Sequence, residues 1–261
     1  MGLSKKQSER ISSILIQSLR NKLSNYKPEP ASMPFHTRLL GKDRMALFSF
    51  IHSLNKNFVT SIFEPVAMEL ASGKFKVVKS HCNAGKLMSE KAQYVIQGIM
   101  DDLVAAHAKP DKDEEVKKIR NVCQVPELRN VKPTQVDIWL ESDDGELFLF
   151  DLKTAKPNKG GFKEFKRTLL EWTACILAEN PHAKVNTLIA IPYNPYEPKP
   201  YSRWTLAGML DLKKELKVGA EFWDFLAGEG TYFDLLEIFE QVGITLRPEI
   251  DEYFGKYQLN S

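Results

Sequence analysis

Apolar residues recur at three- and four-residue intervals over residues 5–25, where Ile11, Ile14, Leu15, Leu19 and Leu23 form one stripe. That is the period of an amphipathic helix. A second such pattern, Met45, Leu47, Phe48, Ile51, Leu54 and Phe58, predicts a long helix from about 42 to 71, broken or kinked near Pro65. Ser89-Glu90 opens a third, with Ala92, Val95, Ile96, Ile99, Leu103 and Val104 inside, and residues 162–179 form a fourth on Phe165, Leu169, Trp172, Thr173 and Ile176. Strands are predicted at 74–79, over QVDIWLE and ELFLFDLK between 134 and 154, and over the aliphatic run at 185–193. Residues 206–242 read as two short helices around the GEG turn at 228–230, and GITLRPEIDEYF as a strand followed by a short helix. Between these lie a proline-rich loop (YKPEPASMPF), a charged exposed connection (KPDKDEEVKK) and a Pro- and Tyr-rich loop (NPYEPKPYSRW). Strand, hairpin, helix and strand in this order make an α/β fold, a mixed sheet with one crossover helix.

Composition narrows this picture only a little. The 261 residues are 43% hydrophobic and 27% charged, as in an ordinary soluble protein, and can bury a substantial core. The net charge of +2 announces no uniformly basic surface, so any nucleic-acid partner must be met by local clusters of Lys and Arg. Cys82, Cys123 and Cys175 form no CxxC pair and point to a reducing compartment. MGLSKKQSER begins a polar helix and no apolar run approaches a membrane span, so a cytoplasmic location is expected.

The chemistry concentrates in TQVDIWLESDDGELFLFDLKT, residues 134–154. A three-residue loop, Asp143 to Gly145, would pair Ser142 with Glu146 and Asp137 with Asp151, and a bulge at the Gly end of the loop would shift that register by one residue. Lys153, two residues beyond Asp151, projects from the same face. Two carboxylates so placed repel and are costly to bury, and a divalent cation with a preference for oxygen would relieve both problems. The alternative is a cross-strand salt bridge on a half-solvated face; the apolar LFLF run before Asp151 argues against it.

Other candidates are more local. Glu64, set among Ile62, Phe63 and Val66, is either aimed at an inward site or caps the helix segment opening at Pro65. Lys159, Lys163, Lys166 and Arg167 gather at a helix start, where cations oppose the helix dipole; a phosphate backbone passing this end would explain them, and solvated lysines are the rival reading. Asn194, Arg203 and Trp204 lie in a loop rigid enough for groove contacts, unless its tyrosines simply pack on the sheet. His81 and Cys82 suggest a metal or thiol site only weakly, and a loop is the expectation there.

Asp137 followed by Asp151-Leu152-Lys153 on the next strand resembles the PD-(D/E)XK nuclease core. FDLKTAKPNKGGFKEFKRTLLEW and EFWDFLAGEGTYFDLLEIFEQVGI are similar to TdeIII-type restriction endonucleases, over roughly residue 35 to the C-terminus. The resemblance implies a restriction-endonuclease-like core, a central mixed sheet flanked by helices. It implies one domain over 1–261, with a helical arm at 1–34 before a catalytic and DNA-recognition core at 35–261. It further implies a Mg²⁺-dependent type II enzyme cutting double-stranded DNA at an interrupted GGNCC target, as a homodimer with no organic cofactor. Asp137 and Asp151 would be the metal ligands, Lys153 the transition-state cation and Glu64 the helix acid. Val136 replaces the proline of the motif, and in a related subgroup Glu164 or Glu171 would compete with Asp151. A repair nuclease of the same fold and a non-catalytic DNA-binding module are the alternatives.

Overall fold

The structure is a computed structural model that describes residues 2–258 apart from 28–32, 126, 133, 156–160, 203–205 and 207. The chain divides into two compact units, Met1–Glu69 with Gly228–Ser261, and Leu70–Ala227.

The first unit is helical. Helix α1 (Lys5–Asn25) begins with a capping box in which Ser4 and Gln7 satisfy each other's backbone amides. The helices α2 (Pro34–Leu40) and α3 (Lys42–Phe58) follow, then a π-helical turn (Val59–Phe63) and α4 (Glu64–Ala71). The expected break near Pro65 is this π turn, which ends two residues before the proline. The apolar stripe of α3 is rotated from the expected one: Met45, Ala46 and Phe50 are buried, whereas Leu47, Phe48 and Ile51 are exposed.

The last described element of this unit, Thr231–Gln258, is one continuous helix despite Pro248. A strand was expected at its GITL segment. Helix wins because Leu235, Val242 and Leu246 are buried at helical spacing while Ile244 is exposed, whereas a strand would put Ile244 on the same face as Val242 and Leu246. Arg20 on α1 grips Glu249 through three hydrogen bonds, and the Tyr253 hydroxyl donates to the Tyr26 carbonyl.

The second unit holds a five-stranded sheet in the order β1 (Val77–Asn83), β4 (Gln135–Glu141), β5 (Leu147–Leu152), β6 (Val185–Ile191), β7 (Leu216–Val218). The first three strands are antiparallel, and β5, β6 and β7 run parallel. The short β2 (Leu87–Ser89) and β3 (Leu128–Asn130) form a separate ribbon. Helices α5 (Glu90–Val104), α6 (Lys112–Arg120), α7 (Gly161–Glu179) and α8 (Ala220–Ala227) complete it, and α7 is the crossover between β5 and β6. The strand expected at 74–79 begins three residues later, which draws His81 out of the expected loop and into β1.

Each face of β5 is used. Phe148 and Phe150 join Phe75, Phe222 and Phe225 in an aromatic cluster on one side. On the other, Leu149 enters the main core with Leu169, Trp172 and Ile189. Two packed layers make β5 apolar throughout, so the carboxylate at its end stands out. KPDKDEEVKK is no exposed connection: it forms most of α6, capped by Asp111, with Lys112, Glu115 and Ile119 buried.

Candidate active site

The hairpin geometry places the site. Gly145, at φ 79°, closes the turn; its amide donates to the Ser142 carbonyl, and the Ser142 amide to the Glu146 carbonyl, both at 3.0 Å. From there the ladder pairs Glu141 with Leu147 and Ile138 with Phe150, and the next step brings Asp137 opposite Asp151, the register that a three-residue loop predicts.

Asp137 Oδ2 accepts a 2.7 Å hydrogen bond from the Leu152 amide. Asp151 is buried and makes a 2.5 Å ion pair with Lys153. Burial pushes the Asp151 carboxyl up from 3.8 to about 6; Lys153 pulls it down, and Asp137 adds to the rise. The Lys153 ammonium, partly exposed, also lies 4.7 Å from the centre of the Phe165 ring on α7. Its own backbone amide donates to Ala190, tying the site to β6.

Among these three side chains the charge is two minus to one plus, and the deficit is one cation. Asp137 and Asp151 supply hard oxygen donors, of the kind that hold Mg²⁺ when substrate phosphate and water complete its shell. No group of three or more His, Cys, Asp or Glu side chains able to hold a metal ion occurs among the described residues.

The remaining candidates disperse. Glu64 is buried at the start of α4, in the helical unit. Glu164 is exposed, and Glu171, whose carboxyl burial pushes up, lines a cavity of about 500 Å³ with Gln97 and Arg167. Lys163 is exposed and Arg167 donates to Gln97 at 2.6 Å. Asn194 braces its own loop, accepting from the Tyr196 amide and donating to the Lys199 carbonyl. Lys159, Arg203 and Trp204 lie outside the described residues.

Lys166 requires a correction. It was expected with Lys163 and Arg167 along a DNA backbone, yet it is fully buried and bonds Glu115 at 2.5 Å and Glu215 at 2.7 Å. Glu215 also receives Lys112 at 3.1 Å, and Lys112 donates to Thr187 at 2.6 Å. An ammonium so enclosed cannot reach a phosphate. This quartet was missed, although Lys112, Glu115, Val116 and Ile119 share one helical face in the sequence.

The chain matches, over residues 3–243, the family model described as "Type II restriction endonuclease, HinfI". It belongs to that family of type II restriction endonucleases. Curated relatives agree. The chain is 26% identical to the type II restriction enzyme MjaII of Methanocaldococcus jannaschii, over 97% of this chain and 74% of that protein. It is 24% identical to HgiCII of Herpetosiphon aurantiacus, covering 83% of this chain and 80% of the relative, and similarly to HgiEI of the same organism. The fold is accordingly a restriction-endonuclease-like mixed sheet flanked by helices, and the chemistry is DNA cleavage.

Proposed function

We propose that the protein is a Mg²⁺-dependent type II endonuclease that hydrolyses both strands of a short interrupted palindrome, GGNCC, in the cytoplasm. The observation that carries this reading is the convergence of Asp137, Asp151 and Lys153 at one end of the β4–β5 hairpin. Asp137 and Asp151 would hold the ion, which when bound neutralises phosphate charge and makes water a better nucleophile. Lys153 donates to the scissile phosphate as negative charge builds on its oxygens, and orients the attacking water. Lys163 and Arg167, with Lys159 and Arg203, hold or read the duplex.

Digesting a plasmid of known sequence tests this directly. Discrete fragments ending at GGNCC are expected with Mg²⁺ and intact plasmid with chelator. A smear would mean an unspecific nuclease, and uncut plasmid under both conditions a binding module.

Cutting two strands with one carboxylate pair per chain calls for two copies related by a two-fold axis. A surface suited to a second copy is the α2–α3 face, where Phe35 is 83% and Leu39 82% exposed, with Phe48 and Ile51 also open to solvent. Large apolar side chains grouped like this mark an interface. Leu39→Asp with Phe48→Asp should convert a dimer to a monomer in sedimentation velocity; an unchanged sedimentation coefficient would place the interface elsewhere.

A further inference from the structure

A second cavity of the sheet unit, of about 540 Å³, lies away from the carboxylates. It follows from the shortness of β7, which pairs only with residues 189–191. Residues 185–188 of β6 therefore have no strand beside them on that edge among the described residues. Helix α6 and the segment leading into β7 wall this space, and Phe148 and Phe225 of the aromatic cluster lie at its floor. Phe148 is on the opposite face of β5 from Asp151 and three residues earlier, roughly 10 Å along the strand. The cavity and the carboxylates thus belong to different ends and different faces of one strand.

The walls are basic in a chain that is nearly neutral overall, with 36 Lys and Arg against 34 Asp and Glu. Lys117 and Arg120 come from α6, Lys213 and Lys214 from the segment before β7, and Lys217 from β7 itself. Asp113 is the one acid among the lining residues, and Lys214 engages it in an ion pair. Lys117 reaches Glu114 at 3.5 Å, with its side chain 70% exposed. Arg120 is held by the carbonyls of Pro181 and Ala183, which fix the guanidinium without neutralising it. Lys217 is half-buried, its ammonium 4.8 Å from the centre of the Phe225 ring, and Lys74 sits 5.1 Å from the same ring. Burial pushes the Lys217 ammonium down; Glu221 counters this and Lys74 adds to it. Four cations, Lys117, Arg120, Lys213 and Lys217, therefore surround one space with no lining carboxylate left to balance them. A lone phosphate would engage one or two of them. Spread over three elements, they suit a run of phosphates.

We propose that this cavity is a second DNA-binding site, which takes the sugar–phosphate backbone of duplex outside the stretch being cut, with Lys117, Arg120, Lys213 and Lys217 as its phosphate contacts. It draws on the DNA-cleaving family to which the chain belongs, and not on the roles given to Asp137 and Asp151. Backbone contacts carry no sequence information, so the site adds affinity for DNA at large rather than choice of target.

Titrating the full chain with a short labelled duplex, without divalent cation, tests this, with Kd read by fluorescence anisotropy and duplex bound per chain by sedimentation velocity. Lys117→Gln, Lys213→Gln and Lys217→Gln combined should bind about 10-fold more weakly at any sequence, with the slope of log K against log salt lower by about 3. The triple variant should also saturate at fewer duplexes per chain than the wild type. Lys5→Gln, Lys6→Gln and Lys118→Gln combined remove the same charge from exposed positions off the cavity, and should leave Kd within about 2-fold. Lys117 and Lys213 are exposed, so that pair alone decides the matter if the triple variant melts below the wild type. Wild-type affinity in the triple variant, or equal loss in the control, overturns the site. Weaker binding at unchanged stoichiometry would mean that these cations flank the cut stretch, and overturns a separate site. Inorganic tripolyphosphate raising the melting temperature of the wild type alone, with duplex Kd equal in both proteins, would assign the cavity to a free polyphosphate instead of DNA.

Discussion

Two clusters of opposite charge lie on the α7 side of the same sheet, and they are completed to different degrees. Lys112, Glu115, Lys166 and Glu215 are two cations against two anions, buried, each side chain bonded within the group. Asp137, Asp151 and Lys153 are two anions against one cation, with the lysine partly open to solvent. The protonation tendencies follow. Burial would raise the Glu215 carboxyl, but Lys112, Lys166 and the Asp211 amide together hold it below its ordinary range. Glu115 bonds only Lys166, and burial wins there, raising it. Asp151 has a lysine and yet rises to about 6, because burial and a second carboxylate outweigh one partner. A cluster that balances its charge within the fold is architecture; one left a cation short is prepared for something that arrives later.

The largest effect should come from unbalancing the first cluster. Lys166→Met leaves two buried glutamates with Lys112 alone, and should cost about 3–5 kcal/mol in urea denaturation. Adding Glu115→Leu, which restores a one-to-one pair, should return much of that loss. If Lys166→Met were neutral, the quartet would not be the structural half of this contrast.

Removing charge from the second cluster should do the reverse. Asp151 carries a carboxyl raised in the folded state, so its contribution to stability is full below about pH 4 and lost as pH rises through about 6. Asp151→Asn in metal-free protein should therefore be more stable at pH 7 by roughly 1–3 kcal/mol, with a flatter melting profile between pH 4 and 6.5, while DNA cleavage disappears. Reduced stability at pH 7 would mean that Asp151 is as fully paired as Glu215. The smallest effect belongs to the exposed cation. Lys163→Glu should leave melting unchanged, weaken DNA binding at every sequence alike, and lower the slope of log K against log salt by about 1. Loss at one sequence only would make Lys163 a base reader.

The site was legible in the sequence where turn chemistry fixes geometry. Asp143-Asp144-Gly145 sets the loop length, which brings Asp137 to Asp151 within one residue of register, and the ladder without a bulge settles the pairing. The long crossover helix and the aliphatic β6 followed from period and length. What was misread was charge taken at face value. Phe162, Lys166, Leu169 and Thr173 fall on one buried stripe of α7, yet the neighbouring Lys163 and Arg167 drew Lys166 to the surface. The same habit turned α6 into a loop, since its buried anchors are a lysine and a glutamate. Partners that neutralise them come from Glu215, 49 and 103 residues away from Lys166 and Lys112, a distance no local pattern spans.

The bond from the Leu152 amide to Asp137 Oδ2 gives the centre a built-in reporter. A backbone proton in the middle of a sheet ordinarily sees a carbonyl, whose character never changes; this one sees a carboxylate. Protonating that oxygen, or handing it to a cation, should move a single amide resonance while its neighbours stay still, so the occupancy of the centre can be followed by NMR without DNA being cut.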